Sequence, residues 1–265
     1  MHVLTTGGRG SLGRALITAI TGNRKGHVVR VMSRRARRES VTTEVEWAQA
    51  DIASGSGIEE AVEQIGVIVH AASDPRRAEA VDVDGTRKLV EAARKARVSH
   101  LIYISIVGID DIPLGYYKRK RAAEKIIESS GLPYSILRAT QFHSLVNSML
   151  VAAARLPVIM PIPTDFRFQS VDESEVAQRL AQCVGDGPRG RMADFGGPEV
   201  LSLGEMAESW LDVARVRKRL IRLPLPGSVA AAFRAGKNTV PDGVRGEIRW
   251  RDWLIRRSEA GPTVG

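Results

Sequence analysis

The sequence predicts an α/β fold built on a parallel sheet, and two features of its first half predict it. Short β-branched runs alternate with segments of helical periodicity, the pattern of successive βαβ units. A glycine-rich turn also stands directly between the first run and the first helical segment. Six strands are expected, over residues 3–6, 27–33, 44–50, 67–70, 101–105 and 134–138. Between them, Leu12, Leu16 and Ile20 share one helical stripe, as do Leu89, Ala93 and Ala96, and Ala123, Ile126 and Ile127. Such stripes cover a sheet, and right-handed crossovers bring the strand C-termini to one edge, where open α/β sheets bind ligands.

Beyond Arg138 the alternation loosens. Helices are expected near 144–154, 174–183 and 203–214, with a Pro-punctuated stretch at 156–163, a break at 195–198 through Gly196 and Gly197, and a loop at Pro224 and Pro226. The expected organisation is a nucleotide-binding core over 1–145, with 146–265 as substrate-side elements completing the same domain.

Composition removes several classes. No stretch approaches the roughly 20 apolar residues of a membrane span, and Met1 leads almost at once into the first strand, leaving no room for a signal peptide. A cytoplasmic protein without a membrane partner is therefore expected. Its one cysteine, Cys183, lies in an apolar helical pattern and reads as a core residue. The 39 basic and 30 acidic residues leave a formal charge of +9. That excess is diffuse; its densest runs are Arg34, Arg35, Arg37, Arg38 and Arg215, Arg217, Lys218, Arg219, Arg222. Neither is interleaved with aromatic residues, so solvated faces are expected and a nucleic-acid partner is not.

The turn Thr5-Thr6-Gly7-Gly8-Arg9-Gly10-Ser11-Leu12-Gly13 carries the main chemical signal. Gly7 permits a tight turn, Gly10 lets backbone N–H groups approach a pyrophosphate, and Gly13 allows the helix to pack closely, with the anion at the helix N-terminus. This is a Rossmann-type, doubly wound arrangement. At the end of the second strand an NAD-specific site presents a carboxylate to the ribose 2′-hydroxyl, but here the chain reads Met32-Ser33-Arg34-Arg35. A hydroxyl and a guanidinium match a 2′-phosphate, and Arg9 can pair with the same group, so NADP(H) is the expected cofactor. Asp51 and Ile52 stand where a carboxylate can accept the adenine amino group and an apolar side chain can meet the ring. Ala71, Ala72 and Ser73 are small enough to let the backbone pass close to the cofactor, and His70 reads as a strand residue satisfied by neighbours.

Tyr116 and Lys120, four residues apart, share one helical face. A nearby ammonium stabilises phenolate, making Tyr116 a proton donor or acceptor at a carbonyl or alcohol, and Lys120 would also hydrogen-bond the nicotinamide ribose.

These motifs, with Val83-Asp84-Gly85-Thr86, Tyr103-Ile104-Ser105, the repeat Tyr116-x-x-x-Lys120-x-x-x-Glu124 and the segment Leu132-Pro133-Tyr134-Ser135-Ile136-Leu137-Arg138, resemble the NmrA-like, atypical short-chain dehydrogenase/reductase family over roughly residues 1–145. Phe168-Gln169-Ser170-Val171 and Glu175-Val176-Ala177 resemble a later segment of that family. The resemblance implies NADP(H) binding, with the nicotinamide near Lys120 and the segment Thr140-Gln141-Phe142-His143. Ser105 stands one or two positions early for the Ser or Thr that polarises substrate in the wider superfamily. The expected function is an NADPH-dependent oxidoreductase passing hydride to a small carbonyl, quinone or enone. The alternative is a non-catalytic NADP(H)-sensing regulator, and a sugar-nucleotide epimerase or dehydratase ranks lower. His143 reads either as a proton source or as a cap or core residue. A homodimer through helices around 80–96 and 117–130 is compatible with the sequence.

Overall fold

A computed structural model describes residues 1–22, 26–35, 45–240 and 242–259. Residue 44, the first of the expected third strand, and Arg37 and Arg38 lie outside the described residues. The chain runs β1 His2–Thr6, α1 Ser11–Thr21, β2 Val28–Ser33, β3 Val45–Gln49, α2 Ile58–Val62, β4 Val67–His70, a π-helix Glu79–Asp84, α3 Gly85–Lys95, β5 His100–Ile106, α4 Gly115–Glu128 and β6 Tyr134–Ala139. It continues through α5 His143–Ala153, β7 Ile159–Ile162, β8 Arg167–Phe168, α6 Glu173–Asp186, β9 Gly190–Arg191, β10 Phe195–Gly196, β11 Leu201–Ser202, α7 Leu203–Val213, β12 Arg219–Arg222, α8 Ser228–Arg234, β13 Val244–Arg245 and α9 Trp250–Glu259.

Contacts group the chain into two compact units. The first comprises residues 1–105, 115–138 and 174–192; the second comprises 106–114, 139–173 and 193–265. In the first, the strands lie in the order β6-β5-β4-β1-β2-β3, with β9 beside β6. The pairings of β1 with β2 and β4, of β2 with β3, and of β4 with β5 are parallel. The order reverses between β1 and β4, and their C-terminal ends open the crevice in which such sheets bind ligands. Leu4, Ile68, Leu101, Leu89, Ala93, Ala123 and Ile127 pack into one core, so the expected stripes on α3 and α4 do face inward. Ala96 is the exception, exposed just past the end of α3. Cys183 on α6 is 2 % exposed and its Sγ donates to the Arg179 carbonyl at 3.1 Å. Burial raises its thiol pKa, as befits a core residue.

In the second unit, β7 pairs with β12 in parallel, β8 with β11 antiparallel, and β10 with β13 in parallel. Its core is built from Val146, Leu150, Met160, Ile162, Phe168, Met206 and Trp250. Ser202 and Glu205 form a reciprocal capping box that starts α7. The expected break at 195–198 is instead a short strand followed by a close crossing. A Cβ on Gly196 would lie 2.7 Å from the Gln169 side chain, and one on Gly197 would lie 1.8 Å from the Ser170 carbonyl oxygen. The glycines there answer to close neighbours, side chains at Gly196 and backbone at Gly197, rather than to a turn. Pro161 stands inside β7, within a two-stranded ribbon where a missing N–H is tolerated.

Candidate cofactor and active site

β1 delivers the chain to Gly7, whose φ of 70° is left-handed backbone that favours glycine. A Cβ there would lie 2.6 Å from the Ala71 carbonyl oxygen. The Gly10 N–H donates to the Gly7 carbonyl at 3.0 Å, closing the turn, and α1 starts at Ser11. No side chain caps that end, and its first turn holds no acidic residue. The leading N–H groups of α1 are thus left for an anion. Gly13 is equally constrained, because its Cβ would stand 2.2 Å from the Gly7 carbonyl oxygen. What it accommodates is the backbone of the turn itself.

The turn forms one wall of a cleft of about 280 Å³ whose lining includes Gly7, Arg9, Gly10, Met32, Ser33, Arg34, Asp51, Ile52, Ala71, Ala72, Ser73 and Asp74. Ser33 Oγ accepts from the Arg35 N–H at 3.3 Å, turning the chain at the end of β2. The Asp51 carboxylate accepts from the Ala53 N–H at 3.0 Å, and Ile52 is buried. This donor set fits a dinucleotide: backbone amides for the diphosphate, guanidiniums at the end of β2 for a further phosphate, and an apolar side with one carboxylate for a base.

Behind this wall runs a continuous chain of hydrogen bonds. Thr6 Oγ1 accepts from the N–H groups of Ala71 at 3.1 Å and Ala72 at 3.0 Å, so its own proton goes to His70 Nδ1 at 2.8 Å. That assignment leaves His70 Nε2 protonated and donating to Thr86 Oγ1 at 3.0 Å, and Thr86 donates to the Asp82 carbonyl at 2.5 Å. Burial, with the Lys120 charge, pushes the His70 imidazole down to about 3. The ring is neutral and satisfied by neighbours, as expected from the sequence.

Asp82 ends this chain and begins another. It sits in the π-helix, fully buried, and its Oδ1 accepts from Ser73 Oγ at 2.6 Å while its Oδ2 accepts from the Asp74 N–H at 3.2 Å. With the Ser73 proton committed to the carboxylate, the Tyr116 phenol at 2.6 Å is the donor to Ser73. Lys120 Nζ, 3 % exposed, donates to the Ile104 carbonyl at 3.0 Å, stands 3.7 Å from Asp82 Oδ1 and lies 4.2 Å above the Tyr103 ring. Burial pushes its ammonium down to about 8, against the opposing pull of Asp82 and Glu124. Burial pushes the Tyr116 phenol well above its ordinary value; the Ser73 hydrogen bond opposes this and Asp82 adds to it. The expectation that Lys120 lowers the Tyr116 pKa is therefore corrected. The buried Asp82 carboxylate lies beside the ammonium and spends its field.

Ser105 is buried at the end of β5. Its hydroxyl makes no well-formed hydrogen bond, but it lies near enough to the Glu124 carboxyl to lower its pKa. Burial raises that carboxyl, and the fork of Arg138, at 2.8 and 2.6 Å, outweighs it and holds the group ionised. In the second unit, Thr140 is buried and its Oγ1 donates to the Gln169 carbonyl, while half-buried Phe142 bridges Val171. His143 is fully buried, bonded through Nδ1 to Ser170 at 2.8 Å and through Nε2 to the Ile248 carbonyl at 3.1 Å, with Trp250 and Trp253 beside it. Burial lowers its pKa. It is a core residue, and the alternative of a proton source is not supported.

A sequence profile of the family described as NAD(P)H-binding matches residues 7–186. The chain belongs to this NAD(P)H-binding family. Over 233 residues, 86 % of this chain and 78 % of the other, it is 25 % identical to a (4-alkanoyl-5-oxo-2,5-dihydrofuran-3-yl)methyl phosphate reductase of Streptomyces griseus. Two solved structures share its fold: the NADPH-dependent quinone oxidoreductase QOR2 of Escherichia coli in complex with NADPH, with a TM-score of 0.80, and a Citrobacter triphenylmethane reductase in complex with NADP(H), with a TM-score of 0.79. Each is 16 % identical, and each match covers 97 % of this chain and 99 % of the other. These neighbours agree with the resemblance to atypical short-chain dehydrogenases and reductases.

In the cleft beside the glycine turn the structure gathers Gly7, Arg9, Gly10, Ser33, Arg34, Asp51, Ile52, Ala71, Ala72 and Ser73. Ser11 and Leu12 contribute the helix start behind the turn, and Leu12 is buried. Tyr116 joins through its bond to Ser73, and Lys120 through Asp82. Sequence reasoning missed Asp82. Its place in Val81-Asp82-Val83-Asp84 reads as a polar approach to a helix, and the one available hint was that an inward-facing Lys120 needs a buried counter-charge.

Proposed function

We propose that this protein is an NADPH-dependent reductase that passes hydride to a small carbonyl, quinone or enone, with Tyr116 protonating the acceptor oxygen. The observation that carries the reading is the bond between Ser73, a residue of the cleft wall, and the Tyr116 phenol. A phenol held there supports a proton donor beside the cleft. The names of the relatives, a furanone phosphate reductase and a quinone oxidoreductase of Escherichia coli, support the same class of reaction. Bound NADPH would supply the hydride. The turn at Gly7 to Gly13 would hold its diphosphate, Arg9, Ser33 and Arg34 its 2′-phosphate, and Asp51 and Ile52 its adenine; Lys120 would stand on the nicotinamide side.

The phenol gives up its proton to the acceptor oxygen only as negative charge develops there, because its own pKa is far above neutrality. After each turnover the phenolate regains its proton from bulk water, while the Lys120 ammonium, 3.7 Å from Asp82, holds by charge the carboxylate that keeps Ser73 beside the phenol. Ser105 is left facing Glu124 and polarises no acceptor in this scheme. Steady-state NADPH oxidation across a panel of quinones, enones and aldehydes tests the reading. Tyr116→Phe should lower kcat by about 10²–10⁴ while leaving NADPH affinity intact; unchanged turnover would remove Tyr116 from the chemistry.

A specific observation also favours a second reading, that of an NADP(H) sensor without turnover: the phenol proton points at Ser73, and the ammonium pairs with Asp82 rather than with the phenol. A sensor must bind NADPH and NADP⁺ with different affinities. No oxidation of NADPH by any acceptor, together with such a difference in titration calorimetry, would select it.

A further inference from the structure

The run from Arg215 to Arg222 has no part in the cofactor cleft and read from the sequence as a solvated face. Its setting in the second unit is more particular. The β7/β12 ribbon turns Met160, Ile162 and Leu220 toward the core, and by strand alternation Ile159, Arg219 and Ile221 face outward. The Leu223 N–H continues the ladder to the Ile162 carbonyl at 2.8 Å, so Leu223 joins the outward row. All of these outward side chains are exposed. Lys218 Nζ donates to the Leu156 and Pro157 carbonyls at 2.5 and 3.1 Å, tying the preceding loop beside the ribbon and presenting Leu156 and Val158, the latter 68 % exposed.

The acidic residue that lines the hollow beside this aliphatic row is itself paired. Asp212 is paired with Arg251 at 2.6 Å and Asp165 with Arg222 at 3.0 Å. Lys218 is spent on backbone carbonyls. Arg215, Arg217 and Arg219 line the adjoining hollow with Val158, and no ion pair joins them to any described residue. We propose that this face docks on an anionic lipid bilayer, the arginines meeting lipid phosphates and the aliphatic row entering the interface.

Planar guanidiniums match phosphate oxygens in pairs, and aliphatic side chains beside cations are the combination that binds a charged interface. A second copy of the chain fits poorly, because a self-complementary contact would set one arginine cluster against the other. A protein partner would be expected to find aromatic anchors at the centre, and the row holds none. Single-stranded nucleic acid lacks a stacking platform here for the same reason. No helix among the described residues is long and apolar enough to cross a membrane, so this docking would be peripheral.

The test is co-sedimentation of the full chain with sucrose-loaded vesicles of phosphatidylcholine, with and without phosphatidylglycerol. Binding to the anionic vesicles, absent from the neutral ones and weakening as salt is raised, is expected. The triple change Arg215→Gln, Arg217→Gln, Arg219→Gln should lower partitioning about a hundredfold, at roughly fivefold per cation. The pair Val158→Asp, Ile221→Asp should weaken it with every cation in place. NADPH binding by both variants reports an intact fold. Equal binding to both vesicle types, or full binding by the triple variant, overturns the proposal. A concentration-dependent dimer that Val158→Asp abolishes, with no vesicle binding, would give the face to a second copy and overturn it as well.

Discussion

Replacing Asp82 by Asn keeps the shape of the side chain and removes its charge from a place where both partners are out of water: Asp82 is fully buried and Lys120 is 3 % exposed. The amide oxygen can still accept from Ser73, but its NH₂ then meets the Asp74 N–H, two donors face to face. Breaking a buried pair costs about 3–5 kcal/mol, and a mismatched hydrogen bond about 1 kcal/mol of that. The pH dependence separates the two parts. Lys120 titrates near 8 in the folded chain against 10.5 for an ordinary lysine, so between those values the unfolded chain binds more protons and stability rises with pH. Without Asp82 the folded value drops below 8. The variant's deficit from Lys120 is therefore present below about pH 8 and absent above it. Urea unfolding of both proteins should show a gap of about 3 kcal/mol at roughly pH 6, equivalent to about 6–12 °C in Tm, closing to about 1 kcal/mol at roughly pH 9. A gap of the same size at both pH values would refute an ionised Lys120 held by Asp82.

Three further outcomes follow from the cleft. Arg34→Glu should weaken NADPH about tenfold or more and leave NADH nearly unchanged, as one exposed phosphate contact at about 1.4 kcal/mol requires; calorimetry with both cofactors measures it, and a parallel loss of NADH would place Arg34 elsewhere. Gly13→Ala forces a Cβ to 2.2 Å from the Gly7 carbonyl, so cofactor binding should be lost even where circular dichroism shows a folded chain. His70, held at about 3 when folded against 6.5 when unfolded, is protonated only in the unfolded chain across that window, so stability falls as pH drops from about 6.5 toward 3, by about 2 kcal/mol at roughly pH 5. His70→Gln should flatten that slope in acid unfolding curves.

The strands of the first unit were legible because each buried run is short, β-branched and bounded by turn residues: residues 67–70 match β4 at both ends, and β1, β2, β5 and β6 match within one residue. The glycine turn was legible because backbone crowding leaves Gly7 and Gly13 no alternative. The direction of Lys120 was not. Spacing places it on a face of α4 with Tyr116, but the ammonium turns toward the Ile104 carbonyl and Asp82, and that choice depends on a carboxylate 38 positions earlier whose burial no periodicity announces. The glycines at 196 and 197 misled for a related reason: a turn and a close crossing call for the same residue, and only the tertiary path distinguishes them.

Cys183 gives the molecule a use that its chemistry does not suggest. As the sole thiol in the chain, shut inside α6 with its pKa raised by burial, it can react with an alkylating reagent only while that helix has swung open. A single rate of modification, followed by mass spectrometry, would report how often the packing of α6 lets go, with no dye, tag or engineered probe, and with no competing sulfhydryl to blur the reading.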